Sequence, residues 1–128
     1  MDLPLCFSFF LRAISKDNEK CFNRHTGRPF TSKRFKAFEE ELRYLLKRQL
    51  PEGFTPFMEE GLVVELTTTF CDRRRPDVGN VPKSILDAFN KVLWKDDKLI
   101  TTLITSIEYG KEDKIELNIL GSDPVSRA

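Results

Sequence analysis

LVVELTTTFCDRRRPDVGNVPKSILDAFNKVLWKDDKLITTLITSIEY, residues 62 to 109, decides how this chain folds. LVVELTTTF (62–70) is rich in β-branched residues, which suit a pleated, packed strand. From Asn80 to Leu93 the period changes. Val81, Ile85, Ala88, Phe89 and Val92 fall on one face of a helix. Pro82 is tolerated there because it lies in the first turn, where its missing N–H has no partner to lose. LITTLITSIEY (99–109) is β-branched and apolar again. The stretch reads as strand, helix, strand.

The flanks extend this pattern. Leu3, Leu5, Phe7, Phe9 and Leu11 alternate with their neighbours, the period of a strand with one face in the core. SKDNEKCFNRHTGRPF (15–30) is polar and carries Gly27 and Pro29, which predicts a long loop. Thr31 or Ser32 can cap a helix that runs to about Leu50 and is stopped by Pro51. Its apolar face holds Phe35, Phe38, Leu42, Leu45 and Leu46, with Lys47 and Arg48 at the end that favours cations. PEGFTPFMEEG is a second loop. KIELNIL (114–120) is a last strand, joined to its predecessor through GKED as a hairpin. The order β-α-β-α-β-β predicts an α+β fold: one mixed four-stranded sheet with two helices packed on it. One domain accounts for residues 1–128, with 121–128 as a loose tail.

Composition excludes more than it selects. Of 128 residues, 40% are hydrophobic, eleven of them phenylalanine, enough for a core. Charged residues make up 32% but cancel to a net +1, so only their clustering can point to a partner. No apolar run approaches the roughly 20 residues that span a bilayer, and the apolar start has neither a basic leader nor a small-residue cleavage site. Cys6, Cys21 and Cys71 are odd in number and widely spaced, which argues against zinc and against a disulfide framework. Free thiols suit a reducing, cytoplasmic setting.

Charge clusters around the second helix. Arg73, Arg74 and Arg75 attract phosphate by geometry as well as charge. Asp77 precedes the helix, Lys83 and Asp87 share one of its faces four residues apart, and Asn80 lies near that face. Asp96 and Asp97 follow Trp94, in the turn before the next strand. If that turn folds back, Asp77 and Asp97 converge, and a hard divalent cation relieves the repulsion of such carboxylates. The plainer alternatives are a solvated Asp96–Asp97 turn, a surface Lys83–Asp87 pair, a solvated arginine run and a polar loop role for His25.

The stretch DRRRPDVGNVPKSILDAFNKVLWKDDKLI resembles the signature region of the RusA-type Holliday junction resolvases. That region runs acidic-x-Asp-Asn-x-x-Lys, then Asp-Ala-apolar-Asn, then an aromatic, one residue and Asp-Asp. The match is strong over residues 72–100 and looser elsewhere, with Asn18, the 23–28 loop, Ser32 and Phe38 at the family's N-terminal loop and first helix. The resemblance implies a RusA-like fold and a homodimeric, Mg²⁺-dependent endonuclease, with Mn²⁺ as an alternative ion, that nicks four-way junction DNA symmetrically in recombination and repair. It implies no membrane and no small-molecule cofactor. Asp77 matches the first metal-binding aspartate and Asp97 the one from the acidic turn, with Asp96 beside it. Lys83 matches a lysine needed for cleavage, and Asn80 a polar motif residue. Arg73, Arg74 and Arg75, with Arg24 and Arg28 of the N-terminal loop, would hold the DNA backbone.

One position departs from the pattern. Where the family has a second aspartate, this chain has Gly79. Three readings fit: Asp72, Asp87 or Asp96 supplies the missing oxygen; the protein binds branched DNA without cutting it; or the residue at 79 is an alteration. A domain unrelated to nucleic acid stands as a further alternative. The N-terminal strand and FTPFMEEGL are candidate dimer surfaces, since a two-fold junction calls for a C2 pair.

Overall fold

The computed structural model describes residues 3–15, 20–22, 24–27, 29–74 and 80–122. Among these residues six strands and two α-helices follow in order: β1 (Leu5–Phe9), β2 (Lys20–Phe22), β3 (Pro29–Thr31), α1 (Lys33–Gln49), β4 (Leu62–Phe70), α2 (Asn80–Ala88), β5 (Ile100–Tyr109) and β6 (Lys114–Ser122). Four strands make the main sheet in the order β1-β6-β4-β5. β4 pairs parallel with β5 and antiparallel with β6, and β1 pairs antiparallel with β6, so the sheet is mixed as expected.

The register explains the core. Along β4, Leu62, Val64, Leu66, Thr68 and Phe70 are buried and the residues between them are not. Their cross-strand partners Ile115, Leu117 and Ile119 on β6, and Phe7 and Phe9 on β1, continue the same face. Phe35, Phe38, Leu42 and Leu46 of α1 and Val81, Ile85 and Ala88 of α2 close over it, with Phe89, Leu93 and Trp94 beyond α2. Among the described residues six phenylalanines are buried, each removing a large apolar area from water. No helix among the described residues is long and apolar enough to cross a membrane.

Several expectations change in detail. Ser32 caps α1, its hydroxyl accepting from the N–H of Phe35 at 3.1 Å. The predicted 15–30 loop contains a small antiparallel hairpin, β2–β3. α2 stops at Ala88, five residues before Leu93, because Lys91 turns to a positive φ of 69° and breaks the helical run. The expected hairpin across residues 110–113 is not a paired one. β5 and β6 flank β4 on opposite sides, so the connection crosses the end of β4. Gly110 permits that close crossing: its N–H donates to Phe70, and a Cβ there would sit 3.1 Å from the Thr69 side chain. Of the expected loose tail, Gly121 and Ser122 belong to β6, and the rest lies outside the described residues.

Candidate functional site

The turn that presents Asp96 and Asp97 is built by the residues just past α2. Phe89 and Asn90 close the last turn with 3.2 Å backbone bonds to Leu86 and Asp87. Asn90 then accepts the indole N–H of Trp94 at 3.0 Å, and the Lys91 N–H donates to the Trp94 carbonyl. Trp94 is fully buried, edge-on to Phe89 at 6.2 Å. Phe57 ties the segment to the preceding loop, donating to Leu93 at 3.0 Å and accepting from Lys95 at 2.8 Å. A buried indole with its N–H satisfied is a firm anchor. The charged residues directly after it therefore occupy defined positions.

Asp96 caps the 3₁₀ turn Asp97–Leu99, accepting from the Lys98 N–H at 2.9 Å. That bond, and then a hydrogen bond with Asp97, holds the Asp96 carboxyl below the usual carboxylate range. Asp97 is partly buried and pushed up to about 6. Burial is the largest cause, followed by hydrogen bonds with Asp96 and Asp87 and the repulsion of their charges. Asp87 belongs to the last turn of α2. Asp96 from the turn and Asp87 from the helix thus both act on Asp97, which is disfavoured as an anion.

The opposite end of the sheet handles charge differently. Arg12, just past β1, donates to Asp113 at 3.1 Å, to Asp72 at 3.0 Å and to the Arg74 carbonyl. Its guanidinium also lies 5.2 Å from the centre of the Phe70 ring. Asp72 accepts from the Arg74 N–H at 2.9 Å, the main cause of its lowered pKa, with the Arg12 bond next. Asp113 accepts from the Cys71 N–H at 2.9 Å, and its bond with the thiol, more than burial, raises Cys71. Burial works against the Arg12 charge, but the Asp72 bond and the charges of Asp113 and Asp72 outweigh it. Arg73 lies over the Tyr109 ring at 4.5 Å.

The expected site residues therefore divide. Asp96 and Asp97 come together, joined by Asp87. Lys83 is exposed on α2, four residues before Asp87. Asn80 begins α2. Asp77, Gly79, Arg75 and Arg28 lie outside the described residues, and with them the Asp77–Asp97 convergence; Arg24 is exposed in the turn between β2 and β3. Arg73 and Arg74 follow the end of β4, whereas the Asp97 turn meets its beginning through the 3.0 Å bond from Gly61 to Leu99. The nine residues of β4 separate the two by roughly 25–30 Å of strand rise. Asp72 shares the distant end, so of the three carboxylates considered in place of residue 79, Asp87 and Asp96 are the two that reach Asp97. Arg12 escaped sequence reading because its partners lie 60 and 101 residues away. The spacing of Asn90 and Trp94, four residues within an otherwise helical pattern, was the available sign of the anchor.

The donor chemistry suits a hard divalent cation, which takes carboxylate oxygens and relieves their repulsion. Among the described residues alone, no group of three or more His, Cys, Asp or Glu side chains is arranged to hold one. A mixed α+β domain with such an acidic turn fits the endonuclease class. The model of the family described as Endodeoxyribonuclease RusA matches residues 11–120, and the chain belongs to that family, whose members are Holliday junction-resolving endonucleases. Comparison with curated proteins finds no match.

Proposed function

We propose that this chain is a Mg²⁺-dependent endodeoxyribonuclease that resolves four-way DNA junctions by paired nicks, as a homodimer, in cytoplasmic recombination and repair. The observation that carries this reading is the Asp97 carboxyl, partly buried between Asp96 and Asp87 and raised to about 6, in a chain of this family. An anion held among like charges costs stability, and a bound cation reverses that cost. Asp97 and Asp77 would hold the ion, with Asp96 or Asp87 in place of the aspartate that Gly79 lacks. Mg²⁺, or Mn²⁺, supplies polarisation of a phosphate oxygen and a lower pKa for the attacking water. Lys83 stabilises charge on the phosphate as it reaches the transition state. Arg24, Arg28, Arg73, Arg74, Arg75 and Asn80 bind the DNA backbone without reading sequence.

Gly79 favours a second reading, a family member that binds branched DNA without cutting it. A synthetic four-way junction separates the two. Incubated with Mg²⁺ or Mn²⁺ at protein concentrations that show binding, the enzyme yields symmetric nicks. Binding without nicks, unchanged in excess Mn²⁺, removes the enzyme and leaves the binder. Gain of cutting by Gly79→Asp would then identify the missing ligand as the cause.

A further inference from the structure

The two edges of the main sheet are finished differently. β1 forms one edge, and the side-chain amide of Gln49 occupies it. The Ser8 N–H donates to Gln49 Oε1 at 3.2 Å, and Gln49 Nε2 donates to the Ser8 carbonyl at 2.8 Å. At Ser8 the amide thus makes the two bonds a neighbouring strand would make there. β5 forms the other edge, ten residues long, and among the described residues it is hydrogen-bonded on one side only, to β4. It has no proline or glycine and no charge from Ile100 to Ile107, and its one irregularity is a register shift against β4 at Thr101, near its start. Its side chains are uncovered as well. Leu103, Thr105, Ile107 and Tyr109 continue the core face of β4, yet Leu103 is 40% and Tyr109 43% exposed, because the helices stop short of them. Ile104, on the other face, is 47% exposed.

We propose that the free edge of β5 is where a second copy of this chain docks, strand against strand and antiparallel, so that one sheet runs through the two-fold axis. This rests on the homodimer of the functional reading and assigns its surface, in place of the N-terminal strand and the FTPFMEEGL segment. The strand is self-complementary. Its uncharged middle lies between Lys98 and Glu108. Antiparallel pairing centred on Leu103 sets Leu103 against its own counterpart and brings Glu108 toward Lys98 of the partner subunit, in the 3₁₀ turn just before the strand. The same geometry brings the Tyr109–Arg73 end of one copy beside the Asp96–Asp97 turn of the other. Within one copy those two groups sit at opposite ends of β5, about 30 Å apart by strand rise.

The test uses the full chain with Cys6, Cys21 and Cys71 replaced by Ser. Leu103→Cys, at the axis, should form an intermolecular disulfide on mild oxidation, since facing antiparallel Cα atoms lie about 4.5–5.5 Å apart, within disulfide reach. Lys36→Cys on α1 should not. Pulsed EPR on mixed copies labelled singly at Arg73→Cys or Lys98→Cys should give an intermolecular distance well under the roughly 30 Å expected within one copy. Ile104→Lys, at an exposed position, should weaken self-association in sedimentation by roughly tenfold or more. A dimer that neither cross-links at residue 103 nor brings labels 73 and 98 together overturns this interface and leaves the nuclease reading standing. A chain that sediments as a monomer overturns both the interface and the homodimer. Junction nicking, assayed in parallel, reports on the nuclease by itself.

Discussion

The two ends of β4 carry comparable numbers of acidic groups and treat them in opposite ways. Past Phe70, Asp72 and Asp113 share one guanidinium, that of Arg12, and Asp72 is held ionised. Before Leu62, Asp97 meets Asp96 and Asp87 and is driven toward its protonated form. The first arrangement is complete as it stands, and its chemistry is spent on fixing the loop after β4. The second leaves its carboxylates crowded. Charge that the fold neutralises builds structure, and charge that it leaves crowded is available for function.

Substitutions at each end can break or sharpen that contrast. The largest effect belongs to Asp97→Asn, which should lower junction nicking by roughly a hundredfold or more, as loss of a ligand to a catalytic ion does. Its melting temperature in metal-free buffer should be unchanged or higher. Intact cutting would remove Asp97 from the site, and a lower melting temperature would mean that the crowding is not strained. Next, Asn90→Ala leaves the buried Trp94 indole N–H unpaired, at about 1–3 kcal/mol. Urea unfolding reads that loss, and a full-strength variant would show that the anchor is not needed.

Smaller effects concern the compensated end and pH. Arg12→Met should cost about 1–2 kcal/mol, since its ion pairs are partly exposed and screened. The cost should shrink in high salt while metal-dependent nicking persists. A salt-independent loss would assign Arg12's role to packing on Phe70. Asp97 is raised in the folded chain from 3.8 to about 6, so folding favours its protonated form. Its contribution is complete below about 4 and is lost as pH climbs through 6. Asp97→Asn should therefore overtake the parent chain across that window by about 1–2 kcal/mol, after allowance for partial exposure. Asp72 has the opposite sign. Its contribution is present above the ordinary carboxylate range and fades as pH falls through its lowered value. Parallel stability curves for the two chains between pH 4 and 7 would contradict the Asp97 assignment.

The legible parts of this molecule were those set by short-range pattern. The β-branched run LVVELTTTF marks β4 to the residue, and Ser32 and Pro51 bracket α1 because capping and proline act within a few positions. α2 was read too long because an apolar period continues through Val92 and Leu93. Whether Lys91 leaves the helix depends on Trp94 finding its burial site, which no local pattern records. The order of β5 and β6 around β4 was equally hidden, since a four-residue link suggests a hairpin and only the full sheet decides otherwise. In the site, the Asp96–Asp97 pair stood out by spacing and Asp87 appeared only as an alternative. Arg12 had no signal, because its partners are brought to it by tertiary folding.

The amide of Gln49 has a consequence for how many copies can join. A sheet open at both margins could recruit chain after chain into a fibre. Here a side chain of the same molecule covers β1 at Ser8, so that margin is interrupted midway while β5 runs uncovered. If copies join across β5, growth should favour two, and replacing Gln49 with alanine should ease the route to longer polymers.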